Sequence, residues 1–272
     1  NIWTAPDGDS DRAAPITTGK YAGMAGIAWA KGAKIVYGTR DWDIWIMDED
    51  GNRQRLLTID EHSNRRPAVS PDGGIIFFDS WRKGHGIWRM GVDGGDAKQL
   101  TAGYDIRPDC SPDGRWVFYQ SQVKGRDEIW KVGAEGGASS RWTGKLSGLP
   151  SISPDGKRIA GFYRESPGKP RVLNVVPFEG GEPEKAFVLP PGDYSESRIR
   201  WTPDGRSLTY SLIEGEASNV WLQPLAGGPA RPLTGFKAQI IWDFDWTSDN
   251  RLILARGPTN QDLVLISGRE PL

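Results

Sequence analysis

The stretch "VSPDGGIIFFDS" occupies residues 69–80. Two near copies follow it, "CSPDGRWVFYQS" at 110–121 and "ISPDGKRIAGFY" at 152–163. Each reads as the end of one strand, a Pro-Asp-Gly turn and a second strand, with Pro presetting φ and Gly supplying the left-handed residue. Aligned on Ser70, Ser111 and Ser153, the chain offers three weaker copies. They are Thr202 in "WTPDGRSLTY", Thr247 in "WTSDNRLILA" and Ala30 in "WAKGAKIVYG". The gaps from residue 30 are 40, 41, 42, 49 and 45 residues.

Every copy continues in the same way. An "IW" strand follows a polar loop at Ile44-Trp45, Ile87-Trp88, Ile129-Trp130 and, as "VW", at Val220-Trp221. Val172-Leu173 and Leu263-Val264 replace it in the fourth and sixth copies. A Gly turn then leads to a short strand ending in Leu57-Thr58, Leu100-Thr101, Trp142-Thr143 or Leu233-Thr234. Four short strands per unit of this length is the signature of a propeller blade. Strands sandwiched between two other sheets lose their apolar alternation, as "IIFFDS" does. The fold class expected is all-β: a six-bladed β-propeller of four-stranded antiparallel blades, one domain over 1–272. The blades are placed at about 21–60, 61–103, 104–145, 146–191, 192–236, and 237–268 joined by 13–19.

Ring closure is expected from the two ends. The last unit stops at "DLVLISGREPL" without a fourth strand, and "AAPITTG" at 13–19 sits where a "Leu-Thr" strand belongs. The spacing predicts that 13–19 pairs beside 262–267. Asn1-Ile2-Trp3 is a surplus "IW", so the chain begins inside a repeat and without Met. That predicts the C-terminal part of a longer protein.

Composition narrows the function classes. With 34 Lys and Arg against 35 Asp and Glu, the net charge is -1, so the basic stripe of a nucleic-acid binder is not present. Lone Cys110 excludes an internal disulfide framework. No apolar run reaches the roughly 18 residues that span a bilayer. Thirteen Trp and 35 Gly suit tight turns and large flat side chains between sheets.

The "SPDG…IW…DGG…LT" pattern resembles the TolB-like propeller repeat of bacteria over nearly the whole chain. "KLSGLPSISPDGKRIAGFY", "VVPFEGGEP", "IRWTPDGRSLTY" and "DLVLIS" resemble the C-terminal propellers of bacterial, notably acidobacterial, membrane serine/threonine kinases and of winged-helix regulators. The resemblance implies a sensor or interaction domain, an extracytoplasmic or periplasmic setting, tethering to the inner membrane in the full-length protein, and no cofactor.

In a propeller the SPDG and DGG turns share one face. The other face carries the loops that feed the inner strands. Four residues before each aligned position stand Gly26, Arg66, Arg107, Leu149, Arg198 and Asp243; two before stand Ala28, Ala68, Asp109, Ser151, Arg200 and Asp245. Three Arg in one ring position predict a channel mouth that attracts carboxylates or phosphates. The competing expectation makes them struts that pair with neighbouring acids, as Arg107 would with Asp109 or Asp105. Candidate ligand-binding residues are Arg66, Arg107, Arg198, Asp245, Trp81 and His62, with Trp42 a further contact. Asp72, Asp113, Asp155 and Asp204 read as turn formers, and the Trp of each "IW" as core.

Catalytic patterns are poor. The two His, His62 and His85, fall on loops, where a lone His is solvated. Neither a P-loop nor an HExxH or GxSxG motif occurs. The favoured expectation is a non-enzymatic module, monomeric within a longer chain, that binds a protein or a small anionic ligand at the channel mouth. The alternatives are a propeller hydrolase or lyase using channel-mouth carboxylates, His62 and a divalent ion, and a TolB-like scaffold.

Overall fold

A computed structural model describes residues 1–18, 21–142, 144–165, 169–194 and 198–258. Among them the backbone forms six four-stranded antiparallel sheets and one 3-10 turn at Ser10–Arg12. Each of the first five blades is a meander of consecutive strands. The second, for example, runs Asn64–Val69, Ile75–Ser80, Gly86–Gly91 and Lys98–Gln99.

The repeated turn builds itself from three side-chain contacts. Ser70 Oγ donates to Asp72 Oδ1 at 2.5 Å and accepts from the Ile75 N–H at 2.9 Å, while Asp72 Oδ1 accepts from the Gly74 N–H at 3.0 Å. The same set recurs at Ser111/Asp113, Ser153/Asp155 and Thr202/Asp204, which makes these aspartates turn formers. A second device fixes the "LT" strand. Thr58, Thr101 and Thr234 each accept, through Oγ1, the N–H of Ile44, Ile87 and Val220, fourteen residues earlier, at 2.9–3.0 Å.

The core lies between blades. Ile76 and Phe78 pack with Val36, Ile44 and Ile46 of the first blade, whereas Phe77 between them packs with Val117, Tyr119 and Val132 of the third. All three are fully buried. A strand with two covered faces has no polar side to alternate with, which is why the SPDG strands read as apolar runs. The "IW" tryptophans divide: Trp88 is buried, while Trp45, Trp130 and Trp221 are half-buried.

Closure differs from the expectation in one strand. The sixth blade takes Ile240–Trp246 and Arg251–Gly257 from the C-terminal part, then Ile2–Pro6 and Ala14–Pro15 from the start. Ile2 to Pro6 pair along Arg251–Ala255, and Ala14-Pro15 pairs with Trp3-Thr4. The surplus "IW" of Ile2-Trp3 is therefore the third strand of the closing blade. Thr17 accepts the Ile2 N–H at 2.9 Å, as the other "LT" threonines do for theirs. The expected partner of 13–19, residues 262–267, lies outside the described residues.

Two outcomes follow. Gly114 has φ +71°, and a Cβ there would meet nothing closer than Pro71 Cδ at 3.9 Å, so only backbone strain opposes substitution. Gly114→Val is expected to cost about 1–2 kcal/mol in urea unfolding, and Gly114→Asn, which tolerates this conformation, clearly less. Deleting residues 1–6 uncovers the edge of Arg251–Gly257 and opens the ring. Light scattering is expected to show association through that edge, and a monodisperse truncated chain with an unchanged melting midpoint would contradict this closure.

Candidate functional site

The inner strands enter the ring through a distorted step. Arg66, Arg107 and Leu149 have φ of +53°, +59° and +57°, and each precedes a proline. Proline ordinarily confines its predecessor to extended backbone, so these left-handed residues carry strain of about 1–3 kcal/mol each. Strand pairing shifts register at the same places, between Arg65 and Ala68, Ile106 and Asp109, and Gly148 and Ser151. Such bulges re-aim a side chain, and here Arg66 and Arg107 line a cup in the channel mouth. The ring position is tightly filled: a Cβ on Gly26, the equivalent residue of the first blade, would lie 2.7 Å from Arg66 Cα.

The cup has a volume of about 830 Å³. Trp42 and Gly215, from the loops between second and third strands, form part of its wall, which places it opposite the SPDG turns. Arg65, Arg66, Arg107 and Arg198 supply its cationic side, and Met24, Ile213, Ile240 and Trp242 its apolar side. Adjoining it, between Arg107, Leu149, Arg198 and Arg200, lies a small void of about 10 Å³.

Asp79, fully buried, organises the cationic wall. Its two oxygens accept from Arg66 Nη1 at 3.3 and 3.2 Å, one also accepts the Arg107 backbone N–H at 3.4 Å, and Arg65 Nε lies 3.5 Å away. Burial alone would raise the Asp79 pKa; Arg66, then His85, Arg65 and the Arg107 N–H, outweigh it and hold the carboxyl below its ordinary value. Arg107 shows the opposite pressure: burial, and then the positive charges of Arg66 and Arg198, push its pKa down to about 9. It stays cationic at neutral pH, in surroundings that are already positive.

Arg198 is a strut as well as a lining residue. It is nearly inaccessible, and its Nη1 donates to Asp243 Oδ2 of the next blade at 3.1 Å. One turn of the ladder deeper, Arg200 Nε donates to Asp245 Oδ1 at 3.0 Å. Both pairs join residues forty-five apart, equal columns of adjacent blades. Asp245 also accepts the Trp29 N–H of the first blade at 2.9 Å, so it clamps three blades together. Asp109 likewise accepts the Ile152 N–H of the fourth blade at 2.8 Å, and burial raises its pKa.

Of the expected ligand residues, Arg66, Arg107 and Arg198 thus meet in the cup, while Asp245 lies a layer below it. Trp81 is half exposed and stacks on His85, with ring centroids 4.6 Å apart. Arg65 lies over both Trp42 and Trp81, at 5.2 and 5.9 Å from the ring centroids. His62 is exposed on its loop, its N–H donating to Asp60. His85 corrects the expectation of a solvated loop His: its side chain is 8% exposed, enclosed by Trp81 and by Tyr104 at 4.6 Å, with Nε2 3.9 Å from Asp79. The carboxylate of Asp109, one expected partner of Arg107, is used by the next blade.

Arg65, expected from a loop beside the mouth, does line it; sequence reading passed over the apolar wall and Asp79. One signal for Asp79 existed. It stands nine residues after Ser70, as Gln120 does after Ser111, and Gln120 Oε1 accepts the Leu149 N–H at 3.3 Å just as Asp79 serves Arg107. This column holds the left-handed residue of the following blade. Among the described residues, no group of three or more His, Cys, Asp or Glu side chains is arranged to hold a metal ion.

Known proteins share the fold. A propeller of Agrobacterium tumefaciens described as putative TolB superposes with a TM-score of 0.73 at 15% identity, covering 95% of this chain and 98% of that one. TolB from Acinetobacter baumannii gives 0.63 at 22% identity, covering 86% of this chain and 54% of that one. Hydrazine synthase of Kuenenia stuttgartiensis also gives 0.63, at 16% identity, with 86% and 73% covered. At such identities these likenesses show the fold alone. In sequence, an uncharacterised protein of Agrobacterium fabrum is 42% identical over 89 residues, 31% of this chain and 30% of that protein. The chain thus spans less than a third of that curated relative and about half of the Acinetobacter TolB chain. The model of the TolB beta propeller domain matches residues 33–195, more than half of the sequence, and the chain belongs to that family.

Proposed function

We propose that this propeller is a non-enzymatic binding module, and that its channel mouth captures an anionic group carried by a protein or a small ligand. The observation that carries the reading is the gathering of Arg66, Arg107 and Arg198 in one cup, two of them on strained, bulged backbone. Strain of that kind persists where the surroundings over-determine it, and it concentrates at sites of function. Of the acids nearby, Asp109, Asp243 and Asp245 each accept backbone N–H groups of a neighbouring blade, while exposed Glu216 also lines the cup. Guanidiniums suit bidentate capture of carboxylate or phosphate and make poor acid–base catalysts.

The wider role assigned is the sensor or interaction domain of a larger bacterial signalling protein. It would present rigid loops around the mouth and pass occupancy to the remainder of the protein. Family membership supports binding in general, and the resemblance to kinase and regulator propellers supports the signalling setting. A hydrolase or lyase reading would draw on the fold shared with propeller enzymes. Here His85 is enclosed by aromatic rings and His62 stands outside the cup.

The test is the melting midpoint in sulfate or acetate against chloride at equal ionic strength. At ten times its Kd an anion is expected to raise the midpoint by about 2–5 °C, less as background salt rises. Arg66→Gln, which leaves Arg65 beside Asp79, is expected to cut the shift at least by half. Identical midpoints in all three salts would remove the reading.

Asp79 gives a separate pH prediction. Its folded pKa is depressed, so its stabilisation is complete above the unfolded value of about 3.9 and is lost as pH falls through the lowered folded value. Asp79→Asn is expected to flatten this acid limb. At pH 7 it is expected to cost about 3–5 kcal/mol, because Arg65 and Arg66 lose a buried counter-charge. Urea unfolding between pH 3 and 7 reads both effects.

A further inference from the structure

The lining of the cup joins guanidiniums to apolar side chains, and the combination specifies more than a charge. Its cationic side comes from the second, third and fifth blades, through Arg65, Arg66, Arg107 and Arg198. Its apolar side comes from the first, fifth and sixth, through Met24, Ile213, Ile240 and Trp242. A hydrated inorganic anion would satisfy the first side and leave the second wetted. Met24 is 37% exposed there, in a chain whose large apolar side chains are mostly buried. A volume of about 830 Å³ is also far more than a bare anion fills, and lies within the roughly 300–1,000 Å³ of small-molecule sites.

We propose that the cup takes a small carboxylate with an apolar, ring-sized body, the carboxylate meeting Arg66 and Arg107 and the body lying against Met24, Ile213 and Trp242. This deepens the anion-capture reading and rests on it. Charge is layered. At cup level four guanidiniums meet Glu216, Asp243 and, behind the wall, Asp79, whereas one layer down Arg200 meets Asp109 and Asp245. Among the described residues, the positive excess lies on the cup side. Burial and the flanking cations hold the Arg107 pKa at about 9, a pressure that a bound carboxylate relieves.

The experiment is a calorimetric titration of the unmodified protein with acetate, 3-phenylpropanoate and 3-phenylpropanamide at one ionic strength. The aryl acid is expected to bind on the order of tenfold or more tighter than acetate, from burial of its ring, and the neutral amide at least tenfold more weakly than the acid. Met24→Ser and Ile213→Ser, at partly exposed positions, are expected to narrow the gap between aryl acid and acetate and leave acetate unchanged. Equal affinities for acetate and the aryl acid would overturn the ligand class while leaving anion capture standing. Absence of heat for both acids would overturn the two together. Equal binding of acid and amide would make the cup an apolar site and overturn the proposal by another route. Tight binding that persists unaltered in both Ser variants would place the ring elsewhere and overturn it as well.

Discussion

A four-stranded sheet with two apolar faces has no stable existence alone, and everything else in this molecule follows from that constraint. Ile76 and Phe78 look toward one neighbour and Phe77 toward the other, so the second blade is stable only as one of a series. A linear series would end in two uncovered faces and needs caps. The chain instead bends the series into a ring, and Ile2–Pro6 added to Arg251–Gly257 lets the first residues hold the last blade. Ile2 and Ala5, both fully buried, then join the cores on either side of the closing blade. Closure is thus a packing requirement first and a hydrogen-bonding one second.

Bending six sheets round an axis crowds their inner strands, and the channel mouth is where the crowding is resolved. Gly26 meets Arg66 there at backbone distance. The register shifts at Arg66, Arg107 and Leu149 absorb the surplus residue and turn the side chain toward the axis. The price of three left-handed residues is met by supports from the preceding blade or its loop. Ala25 O, Asp79 and Gln120 each accept the strained residue's N–H. The geometry of the ring and the geometry of the cup are therefore one problem with one solution.

This explains what could be read in the sequence. The Ser-Pro-Asp-Gly turns act through contacts two to five residues apart, and the Thr of each "LT" strand through one fourteen residues back. Local periodicity exposes both, so blade number and strand order were legible. The Arg column was legible for the same reason. Its environment was not. Arg66 leans on Asp79 within its own blade, Arg198 on Asp243 in the next, and Arg107 sits among Arg66, Arg198 and Asp79. One column of the repeat therefore holds three different electrostatic situations. The surplus "IW" was visible, yet its place depended on a pairing across some 250 residues, which periodicity alone does not assign. Trp242 and Met24 break the repeat pattern and so carried no signal.

The struts and the cup also divide rigidity between them. Arg198–Asp243, almost entirely enclosed, and the partly buried Arg200–Asp245 tie blades five and six at two levels, while Asp245 carries the tie on to blade one. Removing one partner of such a buried pair is costly, because it leaves an uncompensated charge between blades. The rim differs. Trp42, Trp81 and Tyr104 stand 41%, 50% and 46% exposed around Arg65 and His85. Arg65 belongs to both layers, since it lies near Asp79 at the wall and over the two indoles at the rim. A ligand that draws Arg65 inward must loosen it from those rings. The wall and the rim are therefore joined through one side chain.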